Sequence, residues 1–329
     1  MSDEARLAKR IAAGTGTAAS LLVAGAGVLG AQAMAARRAA GVRQTVPPYA
    51  DGRYGGTRGV SLRLAVLGDS LAAGLGAEFP HETPGAILAE RLAHEARQPV
   101  VLSTTAVVGA RSDHLPLQVE RALIIRPTIA VILIGANDIT HFRPLRRQVR
   151  LLRHNILALR EAGVQVVLGT CPDLGSAMLI PPPSRQVARR QSRRLASMQT
   201  GAALQADAIT VSLGDTLGPE FSARPSELFA ADRFHPNAAG YAAVAEVLTP
   251  AVLSAAGFGL AGLPERYELA RTERIMTAID HAVAAPGTVL APVDHPPEGE
   301  RRTLASMLLR RRGGPGDATD VGRAASRAD

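Results

Sequence analysis

Short apolar runs alternate with amphipathic stretches along residues 60–256 of the chain. The apolar runs are rich in β-branched residues and are bounded by Gly, Asp or Ser, which is typical of strands buried on both faces. These runs are residues 62–67, 100–106, 129–134, 164–168 and 208–213. Strands that alternate with helices in this way indicate a parallel sheet covered by helices on both sides.

Four segments between and after these runs have the helical pattern: 84–96, 144–162, 184–206 and 237–255. In the second segment, Val149, Leu152 and Ile156 fall on one face of a helix. Five strands within roughly 200 residues predict a three-layer α/β/α sandwich with a five-stranded parallel, flavodoxin-like sheet. Ligands of such sheets bind beyond the carboxyl ends of the strands, so candidate chemistry is expected directly after a strand.

The N-terminal part of the chain has a different composition. Residues 11–36 carry no charge and are rich in Ala and Gly, over a length that is sufficient for a helix to span a bilayer. Basic residues precede this run, as they do in secretory signal peptides. We therefore expect residues 1–40 to be a signal peptide or membrane anchor, with the protein exported or anchored in the cell envelope and associated with a membrane through residues 11–36. The alternative is a helix packed on the domain, which leaves a cytoplasmic location open.

Two further segments flank the expected domain at residues 60–257. Residues 41–59 contain two prolines and several glycines, and this composition predicts a linker. Residues 258–329 are predicted to be a C-terminal extension, largely disordered after about residue 286, because Pro, Gly, Asp and Arg clusters bury too little apolar surface. Residues 301–312 could instead form a short basic amphipathic helix on a membrane surface.

Charge and composition narrow the classes of partner. The net charge is +8, but the arginines are spread along the chain and no nucleic-acid-binding motif frames them. Aromatic residues make up only 3%, which argues against a surface that stacks single-stranded bases, so no nucleic-acid partner is expected. Arginines in residues 189–194 are expected to form a solvated helix face. Cys171 is the sole cysteine and follows a predicted strand, so it is interpreted as a buried structural thiol.

Two motifs carry residues suited to nucleophilic chemistry. Gly68-Asp69-Ser70-Leu71 directly follows the first predicted strand, which would expose the Ser70 hydroxyl at the mouth of the sheet. Ser and Asp also cap helices, so capping is the alternative there. Asp232 and His235 are three residues apart, so the carboxylate can reach one imidazole nitrogen and leave Nε2 free as a base. The alternative is an Asp that caps a helix beside a surface His.

Two other positions after strands could stabilise negative charge. Asn137, in the sequence Gly-Ala-Asn-Asp at 135–138, could direct its side-chain NH₂ at an oxyanion, or could form a simple Asx turn. Asp138 is expected to brace this loop. Gly109 follows the second predicted strand, and a glycine there allows a backbone N–H to face the same oxyanion.

Taken together, the motifs resemble the four defining blocks of the SGNH hydrolase family, which is also called the GDSL-type esterase and lipase family. The blocks are residues 68–71, Gly109, residues 135–138 and residues 232–241. The resemblance extends over about residues 62–250 and includes neither end of the chain. It implies a serine esterase on a flavodoxin-like sandwich.

The resemblance also implies a role for each residue. Ser70 is the expected nucleophile, His235 the general base and Asp232 the residue that orients the imidazole. The backbone N–H groups of Ser70 and Gly109, with the side chain of Asn137, are expected to form the oxyanion hole. No metal or organic cofactor is implied.

The sequence gives less information about the substrate than about the expected site residues. Residues 172–183 and 216–231 follow strands on the catalytic side, and we expect them to be loops that line an acyl pocket. Their apolar residues are Met178, Leu179, Ile180, Leu228 and Phe229. A small-molecule or lipid ester with a lipid or short acyl group is the expected substrate. A deacetylase of a cell-envelope glycan with the same residues is the alternative, followed by a surface binding module without catalysis.

Overall fold

An eight-stranded sheet forms the centre of the protein in a computed structural model, which describes residues 31, 32, 35, 46–56, 59–258, 269–271 and 289–291. In chain order the strands are β1 (Gly52–Tyr54), β2 (Leu62–Gly68), β3 (Val100–Thr104), β4 (Ile129–Leu133), β5 (Gln165–Gly169), β6 (Ile209–Val211), β7 (Leu269–Arg271) and β8 (Val289–Ala291). Their order across the sheet is β1-β3-β2-β4-β5-β6-β8-β7.

The five central strands, β2 to β6, pair in parallel, which confirms the predicted α/β sandwich. The predicted strand count was wrong, because β1 joins one edge of the sheet and β8 and β7 extend the other. Strands β1 and β8 pair antiparallel with their inner neighbours, so the sheet is mixed. Strand β1 lies in the predicted linker at 41–59, and β8 lies in the region predicted to be disordered. Each has three residues, which is too short for a periodic pattern to identify.

Helices connect the strands on both sides of the sheet. They are α1 (Ser70–Ala73), α2 (Pro84–Ala96), α3 (Leu115–Ile124), α4 (Ala136–Thr140), α5 (Leu145–Glu161), α6 (Ser184–Gln205), α7 (Leu213–Ala223), α8 (Pro225–Leu228) and α9 (Ala238–Ala255). The four predicted helices correspond to α2, α5, α6 and α9. The predicted loop at 216–231 was wrong, since α7 and α8 occupy most of it. Pro219 lies inside α7 and obscured the helical pattern.

Two apolar layers cover the two faces of the sheet. Leu64 and Val66 of β2 pack with residues of α2 and α9 on one face. Ala65 and Leu67 of the same strand pack with residues of α3 and α5 on the other. All four side chains are fully buried, and burying a leucine side chain contributes about 1.5–3 kcal/mol to stability. Because both faces of the strand are buried, its sequence over residues 64–67 is a continuous apolar run.

Helix α9 is, among the described residues, the helix that is long and apolar enough to cross a membrane. Half of its apolar window is buried inside the protein. Its residues Val244 and Leu248 belong to the core layer that contains β2, and the helix packs against α2. In this structure α9 therefore serves as a core helix of the sandwich.

Most of the predicted N-terminal anchor or signal peptide lies outside the described residues. Gln32 is described, and its side chain contacts the segment that leads into α6. The Gln32 amide donates to the carbonyl of Pro182 at 3.1 Å and accepts from the Ser184 hydroxyl at 2.6 Å. Gln32 thus contacts the domain. The predicted basic helix at 301–312 also lies outside the described residues.

Candidate active site

Ser70 lies where β2 ends and α1 begins, at the carboxyl end of the sheet. The chain turns sharply at Gly68, whose φ is 137°. A Cβ at that position would lie 1.8 Å from the carbonyl oxygen of Leu133 on β4, so only glycine fits. The Asp69 side chain then caps α1 by accepting the N–H of Leu71 at 3.0 Å. This turn presents Ser70 as the first residue of the helix, with 8% of its surface exposed.

The imidazole of His235 contacts Ser70 although 165 residues separate them in the chain. His235 Nε2 lies 2.9 Å from Ser70 Oγ, and His235 Nδ1 lies 2.5 Å from Asp232 Oδ2. The other carboxylate oxygen of Asp232 accepts the backbone N–H groups of Phe234 at 2.9 Å and His235 at 3.0 Å. The three side chains predicted from the motifs are therefore joined by two hydrogen bonds.

The electrostatics of Asp232 determine which imidazole nitrogen carries the proton. Burial alone would raise the pKa of Asp232, but hydrogen bonds from the His235 ring, the His235 backbone and the Phe234 backbone outweigh it and hold the pKa below its usual value. The carboxylate is therefore ionised at neutral pH and accepts the proton on Nδ1. Nε2 is then unprotonated in the neutral imidazole and can accept the Ser70 hydroxyl proton.

The residues after His235 hold this turn in place. Asn237 caps α9 by accepting the N–H of Gly240 at 3.0 Å, and its amide donates to the carbonyl of Glu227 at 2.8 Å. The buried hydroxyl of Tyr241 donates to the carbonyl of Leu75 at 2.7 Å, just after α1. The block at 232–241 therefore contains the hydrogen-bonded pair of Asp232 and His235 and fixes it to the turn that carries Ser70.

The two other predicted residues lie on the loops that flank Ser70. Gly109 is exposed in the turn after β3, with φ 80°, and a Cβ there would meet no atom within 4 Å. Asn137 is half-buried in the first turn of α4, after β4. Because β2 lies between β3 and β4, the loops that carry Gly109 and Asn137 lie on either side of the loop that carries Ser70.

Asp138 links these two flanking loops, which confirms its expected bracing role. Its fully buried carboxylate accepts the N–H of Ser112 at 3.1 Å and the Ser112 hydroxyl at 2.6 Å. Burial raises the pKa of Asp138, and the hydrogen bonds from Ser112 oppose the rise. The loop after β3 and the turn of α4 are thereby held together.

Sequence reasoning missed two buried glutamines that fix the strand ends. The Gln118 side chain accepts the N–H of Gly68 at 2.7 Å and donates to the Gly68 carbonyl at 2.9 Å. The Gln199 side chain accepts the N–H of Cys171 at 2.7 Å and donates to the carbonyl of Ile134 at 2.9 Å. An amide on the buried face of an amphipathic helix is the signal that could have identified both, since buried polar groups need partners.

A cavity of about 70 Å³ opens beside Ser70 and His235. Its walls are mainly apolar and include Leu174, Ala177, Leu213, Leu217, Gly218, Phe221, Phe229, Phe234 and Val244. The segments 172–183 and 216–231 both contribute, as predicted. Of the five apolar residues expected to line it, Phe229 is the one that does so among the described residues. Ile180 and Leu228 are buried in the domain, and Met178 is exposed.

Asp173 is a charged residue in the wall of this cavity. Its carboxylate is buried and lies 3.0 Å from Nε of Arg189. The Arg189 side chain is nevertheless 42% exposed, and Arg190, Arg193 and Arg194 are exposed, so the predicted solvated face is confirmed. The ion pair with Asp173 was not predicted, because helical periodicity carries no information on a partner outside the helix. Cys171 is buried as predicted, and burial raises the pKa of its thiol. Within the described ranges, no group of three or more His, Cys, Asp or Glu residues is arranged to hold a metal ion.

Comparison with known proteins determines the family. Residues 66–243 match the model of the GDSL-like lipase/acylhydrolase family. The chain is also 35% identical over 316 residues to the GDSL-like esterase Rv1075c of Mycobacterium tuberculosis, covering 90% of this chain and 94% of that protein. The chain belongs to the GDSL-like lipase/acylhydrolase family. It is a carboxylic ester hydrolase, and the resemblance seen in the motifs is confirmed.

Solved structures similar to this esterase are more distant in sequence. The crystal structure of TesA is 22% identical, with a TM-score of 0.49, and covers 59% of this chain and 99% of that one. The crystal structure of an acetylxylan esterase from Geobacillus stearothermophilus is 18% identical, with a TM-score of 0.45, and covers 65% of this chain and 98% of that one.

Proposed function

We propose that this esterase hydrolyses carboxylic esters through an acyl-enzyme on Ser70. The observation that carries the proposal is the pair of hydrogen bonds from Ser70 to His235 and from His235 to Asp232. As Ser70 Oγ attacks the ester carbonyl, His235 Nε2 accepts the hydroxyl proton and then delivers it to the leaving alcohol. Asp232 stabilises the imidazolium. Water, activated by the same imidazole, then attacks the acyl group and releases the acid and free Ser70.

The oxyanion is bound, in this proposal, by the backbone N–H groups of Ser70 and Gly109 and by the Asn137 amide. Ser70 is the first residue of α1, so its N–H has no partner within the helix. Gly109 has a left-handed backbone and is exposed in the turn after β3. Asn137 stands in the first turn of the neighbouring helix, beyond the end of β4.

The apolar cavity beside Ser70 is the proposed site for the acyl group. Its walls are formed by side chains such as Leu217, Phe221 and Val244, which favour a hydrocarbon chain over a sugar. Its volume of about 70 Å³ favours short acyl chains. The same small volume fits an acetyl group, so a deacetylase of a cell-envelope glycan is the second candidate.

A series of nitrophenyl esters from acetate to laurate tests this proposal. Phe221 lies against Phe229 in the cavity wall, and the variant Phe221→Leu enlarges the cavity. We expect kcat/KM of the wild type to be highest for short chains and the optimum to move to longer chains in Phe221→Leu. A steep fall beyond acetate would favour the glycan deacetylase.

The matched control is Phe258→Leu, which changes the same side chain beyond the far end of α9. We expect its acyl-chain optimum to equal that of the wild type. An unchanged optimum in Phe221→Leu would show that the acyl group binds elsewhere.

We also propose that residues 1–40 export the protein or anchor it to a membrane. The uncharged run at 11–36 supports this, whereas the hydrogen bonds of Gln32 to Pro182 and Ser184 support the alternative of a segment packed on the domain. Fractionation of cells that express the full chain tests it. Full-length protein in the soluble cytoplasmic fraction would contradict the proposal.

A further inference from the structure

Large apolar side chains are exposed along one edge of the domain, beyond the carboxyl ends of the central strands. Each of them lies in a loop that follows a strand or in the first turn of the next helix. They are Phe79, Val107, Leu117, Phe142, Met178 and Val187. Single exposed apolar residues are common on soluble proteins, whereas a group of them on one edge indicates a surface that binds a partner.

Four of these side chains lie where the helices on one face of the sheet begin. Leu117 is in the first turn of α3, Phe142 precedes α5, Met178 precedes α6 and Val187 is in the first turn of α6. Helix α5 contacts both α3 and α6, and all three helices begin at the carboxyl edge of the sheet. These four side chains therefore lie along one edge, and we call them the apolar rim.

Arginines beside the apolar rim have no acidic partner among the described residues. Arg146 and Arg147 are exposed in the first turn of α5 and make no ion pair there. Arg185, in the first turn of α6, donates to the carbonyls of Ile180 and Met178. The first turns of α3, α5 and α6 contain no acidic residue. The helix dipole opposes a positive charge near the start of a helix, so these arginines do not stabilise their helices.

The nearest acidic side chains are already paired with other arginines. Asp113, which precedes α3, lies 3.1 Å from Nε of Arg111 and 2.9 Å from Nη2 of Arg143. Asp173, which precedes Met178 in the chain, pairs with Arg189. The edge around the apolar rim therefore combines exposed apolar side chains with a net positive charge.

We propose that the apolar rim docks on a membrane that contains anionic lipids, with Arg146, Arg147 and Arg185 bound to lipid phosphates. The four apolar side chains then lie at the boundary between headgroups and acyl chains. Burial of apolar side chains and attraction of basic residues to anionic lipids both favour such docking. Ser70 lies at the same edge, so docking brings it to the lipid surface, although the proposal does not depend on the role of Ser70.

The N-terminal part of the chain favours a membrane over an acidic protein as the partner. Gln32 belongs to the uncharged run at 11–36, which is long enough to span a bilayer. Its side chain forms hydrogen bonds with Pro182 and Ser184, where α6 begins. A segment with a composition suited to a bilayer therefore contacts the domain at the edge that carries the apolar rim.

A fluorescent label on the apolar rim tests docking in the full chain. Leu117 and Ile124 are exposed apolar residues at the two ends of α3, so Leu117→Cys and Ile124→Cys form a matched pair. Cys171 is the sole native cysteine and is buried, so a maleimide that carries the polarity-sensitive NBD group reacts at the introduced cysteine. With phosphatidylglycerol vesicles we expect stronger emission at shorter wavelength from the label at residue 117 and unchanged emission from the label at residue 124.

The comparison of the two labels distinguishes docking of the apolar rim from insertion of residues 11–36 alone. Unchanged emission at residue 117, or an equal change at residue 124, would overturn the proposal. A change at residue 117 that grows with protein concentration without lipid would assign the rim to a second copy and would also overturn it. If Leu117→Cys is insoluble, Met178→Cys replaces it with the same expected outcomes. The emission requires no ester hydrolysis, so failure of the proposed function would leave this result unaffected.

Removal of two arginines tests the electrostatic part of the proposal. Arg146→Ala with Arg147→Ala is compared with Arg121→Ala with Arg126→Ala, which removes the same charge at the other end of α3. Docking is measured by titrating vesicles against the emission of the label at residue 117. We expect the first pair to weaken docking roughly 25-fold, or about fivefold per arginine, and the second pair to change it little. Equal weakening by both pairs, or equal docking on phosphatidylcholine vesicles, would overturn the assignment to an anionic membrane.

Discussion

His235 Nδ1 lies 2.5 Å from Asp232 Oδ2, within a turn that also directs two backbone N–H groups at the same carboxylate. This hydrogen-bonded pair is local in the chain, so its geometry depends on one turn. The contact between His235 and Ser70 is long-range, and the fold has to provide it by placing the end of β2 beside the start of α9. The distance between Ser70 and His235 therefore depends on the contacts that hold those two ends together.

Replacing Asp232 tests the contact between Asp232 and His235. In Asp232→Asn the amide can donate to Nδ1, which places the imidazole proton on Nε2 and removes the acceptor for the Ser70 hydroxyl. We expect kcat at neutral pH to fall by about 10³–10⁴, as in serine hydrolases that lose the orienting carboxylate. Steady-state kinetics on nitrophenyl acetate measure this. A loss smaller than about tenfold would contradict the role given to Asp232.

Replacing Asn137 tests the proposed oxyanion hole. Asn137 is half-buried and at the site edge, so Asn137→Ala should leave the melting temperature close to that of the wild type. Removal of one oxyanion donor typically costs about 10²–10³ in kcat. We expect that loss in kcat with little change in KM, because the contact forms in the transition state. A change confined to KM would place Asn137 in substrate binding instead.

The features that could be predicted from the sequence are those that a local pattern of residues indicates. The central strands were predictable because both faces are buried, which makes runs such as residues 129–134 continuously apolar. Ser70, Asp232 and His235 were predictable because the motifs place them directly after strands or on one turn. The sequence could not show their mutual distances, which depend on the three-dimensional packing of the sheet.

The features that escaped prediction share a physical origin. A strand of three residues, such as β1, is defined by the edge it pairs with and has no period of its own. Helix α7 was missed because Pro219 interrupts its pattern. The clamp of Gln118 on Gly68 and the pair of Arg189 with Asp173 join residues far apart in the chain. Periodicity carries no information on such partners.

Substitutions of Gly68 and Gly109 are expected to differ in their effect, because a Cβ would overlap another atom at Gly68 but would only strain the backbone at Gly109. At Gly68 a Cβ would overlap the Leu133 carbonyl oxygen, so Gly68→Ala should abolish soluble expression. At Gly109 a Cβ meets open space, and the cost is that of a left-handed backbone, about 1–2 kcal/mol. We expect Gly109→Ala to fold with a slightly lower melting temperature. Soluble yield and thermal unfolding check both, and a stable Gly68→Ala would contradict the observed packing.

The pH dependence of stability should reflect two carboxyl groups with opposite shifts. The pKa of Asp69 is raised to about 7, so the folded state holds a proton that the unfolded state has lost at mildly acidic pH. Its stabilising effect is present below the unfolded pKa and is lost as the pH rises towards 7. The pKa of Asp232 is lowered, so its contribution is lost instead when the pH falls through the acid range.

Thermal unfolding as a function of pH separates these contributions. Between pH 5 and pH 8, roughly the range in which Asp69 titrates, we expect the melting temperature of Asp69→Asn to fall less than that of the wild type. Asp232→Asn should keep the wild-type slope in this range and differ from it below about pH 4. Identical slopes for Asp69→Asn and the wild type would show that Asp69 does not titrate there.

The site of covalent labelling by a fluorophosphonate tests the nucleophile most directly. The reagent phosphonylates an activated serine, and peptide mass spectrometry identifies the modified residue. We expect one phosphonyl group per chain, on Ser70, with no labelling in Ser70→Ala and strongly slowed labelling in His235→Ala. Labelling at another residue, or full ester hydrolysis by purified Ser70→Ala, would contradict the account.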